Sequence, residues 1–154
     1  MTKTKTITIN LNRNSYDIHI GENLADEIPN IISPFLKRNK IFIICDESLG
    51  SIILPKIKNS FIEAGFEVFV SFVQSGEKSK SFESLELTIS ELLDSGIERN
   101  DTVIAIGGGV IGDLAGFISS IIYRGVNFIQ VPTTLLAQVD SSVGGKTAIN
   151  VKQG

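Results

Sequence analysis

The sequence predicts an α/β domain: a mostly parallel sheet with helices on both faces, preceded by an antiparallel β-hairpin. Three observations predict it. Short apolar runs rich in Ile, Val and Phe, at residues 40–45, 66–73, 101–106 and 126–131, have the length and branching of strands buried on both sides. Segments of helical period lie between them. The order is repeated β then α, and such alternation requires right-handed crossovers and a parallel sheet covered by helices. Ligands of such a sheet bind at the carboxyl ends of its strands.

The elements follow in order. Residues 6–12 and 16–21 alternate apolar and polar around Arg13-Asn14-Ser15, which suits a hairpin with one solvated face. Residues 24–36 read as a helix, and the strand at 40–45 leaves Asp46 at its exit. Residues 48–64 read as a helix containing Pro55 and closed by Gly65; residues 66–73 are strand-like. After the loop 74–80, Phe82, Leu85, Ile89, Leu92 and Leu93 recur at helical spacing until Gly96 stops the pattern. Gly107, Gly108 and Gly109 break the strand at 101–106, residues 110–123 resume in helical style, and the strand at 126–131 ends at Pro132. No clear period follows up to Lys146. The loops 46–48, 74–80, 107–113 and 132–146 therefore gather at the ligand edge.

Composition narrows the functions available. With 154 residues, 42% of them hydrophobic and 20% charged, the chain reads as one soluble globular domain. Fourteen basic against seventeen acidic residues give a net charge of -3, which offers no surface for nucleic acid or an anionic membrane. Cys45 and His19 are the sole cysteine and histidine, too few for a typical zinc site. No apolar run is long enough to span a bilayer, and the amino terminus lacks a cleavable apolar core, so the expected compartment is the cytoplasm.

Gly107-Gly108-Gly109-Val110-Ile111-Gly112 satisfies G-x-G-x-x-G between a strand and a helix, where glycine permits a tight turn and close approach to a pyrophosphate. The acid that usually ends the following strand is missing, since residues 126–131 end in Pro-Thr-Thr. Asp46 either accepts from ribose hydroxyls in its place or caps the segment after Glu47. Asp113 either accepts from a ribose hydroxyl or carboxamide, or complements the first turn of its helix. Gly112 and Gly116 clear a strip for packing on the sheet. In the loop Ser75-Gly76-Glu77-Lys78-Ser79-Lys80, an acid can bind ribose while an amine reaches phosphate. Gly-Lys-Thr at Gly145 to Thr147 is not a P-loop: the required earlier glycine is Asp140 and no clear helix follows. Lys146 is instead delivered by a glycine hinge beside Asp140, Ser141 and Ser142, a set able to hold an anionic, polyhydroxylated molecule. Arg124 either binds phosphate or complements a helix end, while His19 and Cys45 read as structural.

Together, Ser75 to Lys80, Gly107 to Gly116, Tyr123-Arg124-Gly125 and the run Val131-Pro132-Thr133-Thr134-Leu135-Leu136-Ala137-Gln138-Val139-Asp140-Ser141-Ser142-Val143-Gly144-Gly145-Lys146-Thr147 resemble the 3-dehydroquinate synthase family of the shikimate pathway. The resemblance implies that residues 1–154 form its NAD-binding, Rossmann-like domain, with a helical second domain absent. It implies NAD contacts from Asp46, Ser75, Gly76, Glu77, Lys78, Ser79, Lys80, Gly109, Val110, Ile111, Gly112, Asp113, Thr133 and Thr134. Lys146 would lie near both nicotinamide and substrate, with Asp140 and Arg124 on the substrate side. The divalent metal, zinc or cobalt, would be held by a glutamate and two histidines of the second domain, and a lysine and an asparagine used by the family fall just after residues 150–154.

The implied reaction converts 3-deoxy-D-arabino-heptulosonate 7-phosphate to 3-dehydroquinate and phosphate, with NAD used and regenerated and the metal polarising the oxidised oxygen. The implied full-length enzyme is a homodimer, and this chain alone is expected to be inactive. Other sugar-phosphate cyclases resemble the same motifs, and a non-catalytic nucleotide-binding or interaction fragment is the alternative from another class.

Overall fold

The computed structural model describes residues 4–152. Strands β1 (Lys5–Ile9) and β2 (Tyr16–Ile20) pair antiparallel, with Ile7 opposite Ile18, through a 3-10 turn at Asn12–Asn14. Asn12 takes a left-handed φ of 56°, which asparagine tolerates better than most residues. This is the expected hairpin.

The main sheet contains β3 (Lys40–Asp46), β4 (Glu67–Val73), β5 (Thr102–Gly107) and β6 (Asn127–Pro132), all parallel in the order β4-β3-β5-β6. Side-chain alternation divides the core in two. Phe42, Ile44, Val103 and Ala105 pack against α3 (Phe82–Asp94) and α4 (Gly109–Ile121) through Leu85, Leu92, Leu114 and Ile118. Ile41, Ile43, Cys45, Ile104 and Ile106 point the other way, onto α1 (Ile28–Ile32) and α2 (Leu54–Glu63), where Ile57 and Phe61 meet them. With both faces covered, neither β3 nor β5 needs a polar side, and so each reads as an unbroken apolar run. The expected α/β architecture, with helices on both faces, is the one observed.

Three expectations need correction. Residues 24–36 are not one helix: 3-10 turns at Leu24–Asp26 and Ser33–Phe35 flank the short α1. Pro34 has no N–H to continue α1, and its ring would clash with the carbonyl of Asn30. The second helix starts at Leu54 rather than near Ser48, because Pro55 belongs in a first turn, where no N–H is required. The stretch after Pro132 is not without structure. It holds a π-helical turn, Ala137–Ser141, whose spacing a search for a 3.6-residue period does not detect.

At the amino edge of the sheet, ahead of β3 and β5, the Arg38 guanidinium donates to both Glu98 carboxylate oxygens at 2.6 and 2.9 Å. Its Nε lies 2.9 Å from Asp101 Oδ1, on a side chain that is 0% exposed. Asp101 Oδ2 also accepts the Glu98 N–H at 2.8 Å, closing the turn that leads into β5.

Candidate functional site

The carboxyl edge of the sheet begins with close packing around the glycine run. A Cβ on Gly107 would lie 2.5 Å from Ile111 Cγ1, one on Gly108 3.1 Å from Thr134 Cγ2, and one on Gly109 3.1 Å from Ser141 Oγ. One on Gly112 would lie 2.7 Å from Gln130 Oε1, and one on Gly116 would press on Thr147 and the Phe128 ring. None of these five glycines has a positive φ. Glycine is thus required here for space, to seat α4 on β6 and on the loop beyond it, as expected for Gly112 and Gly116, and not for a left-handed backbone. At Gly108, the N-cap of α4, no side chain caps the helix, so its first N–H groups are left to a ligand or water.

At the exit of β3, Asp46 Oδ1 accepts the Ser48 N–H at 2.9 Å, the Ser48 hydroxyl at 2.6 Å and the Ser75 hydroxyl. Partial burial pushes this carboxyl up, but the bonds from Ser48 and Ser75 together outweigh it and hold the group below its ordinary value. Asp46 does cap the following 3-10 turn, Glu47–Leu49. Because the three donors share one oxygen, Oδ2 remains for a ligand.

Beyond Ser75 the chain turns through Gly76, at φ 106°, into a 3-10 turn at Glu77–Ser79. Lys80 Nζ lies 2.7 Å from Asp113 Oδ2 on α4, both side chains being about 15% exposed, and 3.7 Å from Glu77 Oε1. The hydrogen bond with Asp113 is the main reason that the Lys80 ammonium is held above its ordinary value. Asp113 stands a full turn inside α4, which begins at Gly109, so the first-turn reading is corrected. Its observed partner is Lys80. Asn150 completes the cluster, its N–H donating to the Lys80 carbonyl at 2.8 Å and its Nδ2 to Glu77 Oε1 at 2.7 Å.

The last wall is residues 133–147. The Thr133 N–H donates to the Gly107 carbonyl at 2.9 Å, and Thr134 Oγ1 accepts the Ala137 N–H at 3.2 Å, starting the helical turn. Lys146 Nζ lies 3.5 Å from Asp140 Oδ1, both side chains largely exposed, beyond successive left-handed glycines Gly144 and Gly145 at φ 92° and 70°. The Gly144 N–H donates to the Tyr16 hydroxyl of β2 at 3.1 Å. Leu135, Leu136 and Val139 stand 69–75% exposed on the same turn.

Some expected site residues stand apart. Ile111 is buried in the core, leaving only its backbone for a ligand, and Ser79 is buried in its turn. Lys78 lines a shallow depression with Phe72 and Leu87. Arg124 follows α4 and precedes β6, which puts it at the amino edge of the sheet, away from the other candidates. There Tyr123 and Arg124 hold left-handed φ angles of 50° and 65° ahead of Gly125. His19 meets Thr6 across the hairpin, its Nδ1 3.2 Å from the Thr6 hydroxyl. Ser48, Gln130, Tyr16 and Asn150 escaped the sequence reading. Asp-x-Ser at a strand exit signals the Ser48 turn, whereas the contacts of Tyr16 and Asn150 have no local signal.

A family model described as 3-dehydroquinate synthase N-terminal matches residues 70–154. The chain is 46% identical over its whole length to a 3-dehydroquinate synthase of Zymomonas mobilis, of which it covers 41%. It is 46% identical over 149 residues to that of Brucella ovis, covering 97% of this chain and 39% of that one. It thus spans about two fifths of the length of these relatives. A crystal structure of 2-deoxy-scyllo-inosose synthase complexed with carbaglucose-6-phosphate, NAD+ and Co2+ superposes with a TM-score of 0.88 at 25% identity, over 97% of this chain and 41% of that one. The glycine-seated helix and the loops around it are thus those of a known lineage: this chain belongs to the 3-dehydroquinate synthase family, through the N-terminal domain of that family.

Proposed function

We propose that residues 1–154 form the NAD-binding domain of a cytoplasmic, homodimeric 3-dehydroquinate synthase, which converts 3-deoxy-D-arabino-heptulosonate 7-phosphate to 3-dehydroquinate and phosphate. The choice of substrate rests on the 46% identity to 3-dehydroquinate synthases along the whole chain. The cofactor reading rests on one arrangement: an α4 amino terminus without a side-chain cap, flanked by Asp46 and Glu77, each bound by the protein through one carboxylate oxygen.

That donor set fits a dinucleotide. Backbone N–H groups of Gly109, Val110 and Ile111 suit a pyrophosphate at the helix N-terminus, and Asp46 and Glu77 suit the hydroxyls of the adenosine ribose. When bound, NAD supplies the transient oxidation of a substrate hydroxyl that acidifies the neighbouring C–H. Lys80 and Asp113, neutralising one another, form a rigid wall between the loop and α4. Thr133 and Thr134 fix the floor, with Lys146 as hydrogen-bond donor to an anionic substrate and Asp140 as acceptor for its hydroxyls. Within a single copy, Arg124 lies too far round the sheet to join them. Among the described residues no group of three or more His, Cys, Asp or Glu side chains could hold a metal ion. The metal is assigned to a second domain, for which the exposed Leu135, Leu136 and Val139 offer an apolar contact.

A second reading, a cyclase making another carbocycle, draws support from the TM-score of 0.88 with 2-deoxy-scyllo-inosose synthase. Product analysis separates the two once a metal-binding second domain is supplied: 3-dehydroquinate supports the first reading and any other carbocycle the second. For the chain itself, calorimetric or NMR titration should give an NAD dissociation constant on the order of 0.1–1 mM. No saturable binding up to about 10 mM would sink the cofactor reading.

A further inference from the structure

We propose that Asn150 is a positioning residue for Glu77: its amide holds the carboxylate in place to receive the adenosine ribose. The inference rests on the NAD reading of this edge and adds a residue to it. Three observations lead there.

First, among the described residues Asn150 gives Glu77 its one close side-chain hydrogen bond. The Glu77 side chain is 64% exposed, and the nearby cation, Lys80, lies 3.7 Å away and is already engaged by Asp113 at 2.7 Å. An exposed glutamate so placed samples several rotamers, and fixing it costs side-chain entropy whenever a ligand binds. Second, the Asn150 clamp has two points. The N–H to the Lys80 carbonyl, at 2.8 Å, sets where the Asn150 backbone runs, and the amide donates to Glu77 Oε1 at 2.7 Å. A carboxylate only accepts, so the amide nitrogen must face it, and Asp at this position would present a second negative charge instead. Third, the other acid is organised alike. Asp46 Oδ1 is taken by Ser48 and Ser75, as Glu77 Oε1 is taken by Asn150. Each acid keeps one oxygen for a ligand hydroxyl, and Ser75 and Asn150 tie down the two ends of the intervening loop.

The test uses the whole chain, with NAD, adenosine monophosphate and nicotinamide mononucleotide as probes in NMR titrations. Asn150→Ala should weaken NAD and adenosine monophosphate about three- to tenfold, the effect of losing one hydrogen bond, and leave nicotinamide mononucleotide unchanged. Asn150→Asp should weaken the first two further. In a Glu77→Gln background, Asn150→Ala should have no additional effect, a result that a merely structural role for Asn150 would not produce. Unchanged affinity for adenosine monophosphate in Asn150→Ala, equal loss for both mononucleotides, or full additivity with Glu77→Gln overturns the proposal while leaving the NAD reading in place. If the unmutated chain binds neither NAD nor adenosine monophosphate, the NAD reading and this inference fall together.

Discussion

The Tyr16 hydroxyl accepts the N–H of Gly144 at 3.1 Å, tying the second strand of the amino-terminal hairpin to the loop that delivers Lys146. Gly144 and Gly145 both adopt left-handed φ angles and neither is crowded, so their backbone needs an external anchor to hold one conformation. Tyr16→Phe removes the acceptor and keeps the ring. It should destabilise the protein by only about 0.5–1.5 kcal/mol and speed amide exchange at Gly144 and Gly145, while amides of β5 keep their relative protection. Unaltered exchange at both glycines would show that the hairpin does not anchor the loop.

Lys80 and Asp113 join the loop after β4 to α4, in a pair mostly withdrawn from solvent. A double-mutant cycle with Lys80→Met and Asp113→Asn, read by urea unfolding, should give a coupling of about 1–2 kcal/mol. Both single variants should weaken NAD to a similar degree, because either one loosens the same wall. A loss of affinity confined to Asp113→Asn would mean that Asp113 meets the ligand directly.

Arg38 binds Glu98 through two hydrogen bonds and reaches the buried carboxylate of Asp101. Arg38→Ala should cost about 3 kcal/mol, since it strands a buried charge. Arg38→Lys should recover less than half of that, lacking the planar fork that meets two acids at once. Chemical denaturation checks both, and NAD affinity of the folded variants should not change, because this edge is remote from the candidate site.

Burial, and then the adjacent Asp46 carboxylate, pushes the Cys45 thiol up from 9.0 to about 11. The folded thiol therefore keeps its proton at pH values where the unfolded one loses it. Its contribution to stability is full below about pH 8.5 and lost as pH rises toward 11, with a slope approaching about 1.4 kcal/mol per pH unit. Lys80, also raised, adds a loss in the same direction only above about pH 10.4. Urea unfolding between pH 8 and 10 should show this slope for the parent chain and its absence in Cys45→Ala.

Leu135 and Leu136, both about 70% exposed beside the candidate site, should drive self-association of the isolated chain. Replacing both with Gln should reduce it in sedimentation velocity runs across a range of concentrations. Monodisperse behaviour of the parent chain at high concentration would remove the case for an apolar contact there.

Strands β3 and β5 were legible in the sequence because burial on both faces turns them into uninterrupted apolar runs. The helix after the glycines was legible for a related reason: a strand cannot carry the spacing of Ile111, Leu114, Ala115 and Ile118. What could not be read was long-range pairing. Lys80 with Asp113, Asn150 with Glu77 and Tyr16 with Gly144 join residues 33, 73 and 128 positions apart, and no local pattern encodes a partner at that range. The packing role of Gly112 and Gly116 on β6 was legible, whereas the crowding of Gly107, Gly108 and Gly109 by Ile111, Thr134 and Ser141 was not, because those neighbours come together only after the chain has folded. Prolines misled in the other direction: Pro34 and Pro55 are tolerated by a helical pattern on paper and break or delay it in three dimensions.

The strand order β4-β3-β5-β6 also sets an order of assembly during synthesis. Once β4 has left the ribosome it can pair with β3, and α2 covers one side of that pair. The opposite side of β3, with Phe42 and Ile44, has only α3 to cover it until β5 and α4 arrive. A nascent chain halted between β4 and β5 is therefore half-covered, a hydrophobic intermediate of the kind that chaperones bind. Chains stalled with residues up to about 95 outside the exit tunnel should crosslink to such factors more strongly than chains long enough to expose all 154 residues; equal crosslinking at both lengths would contradict this order of assembly.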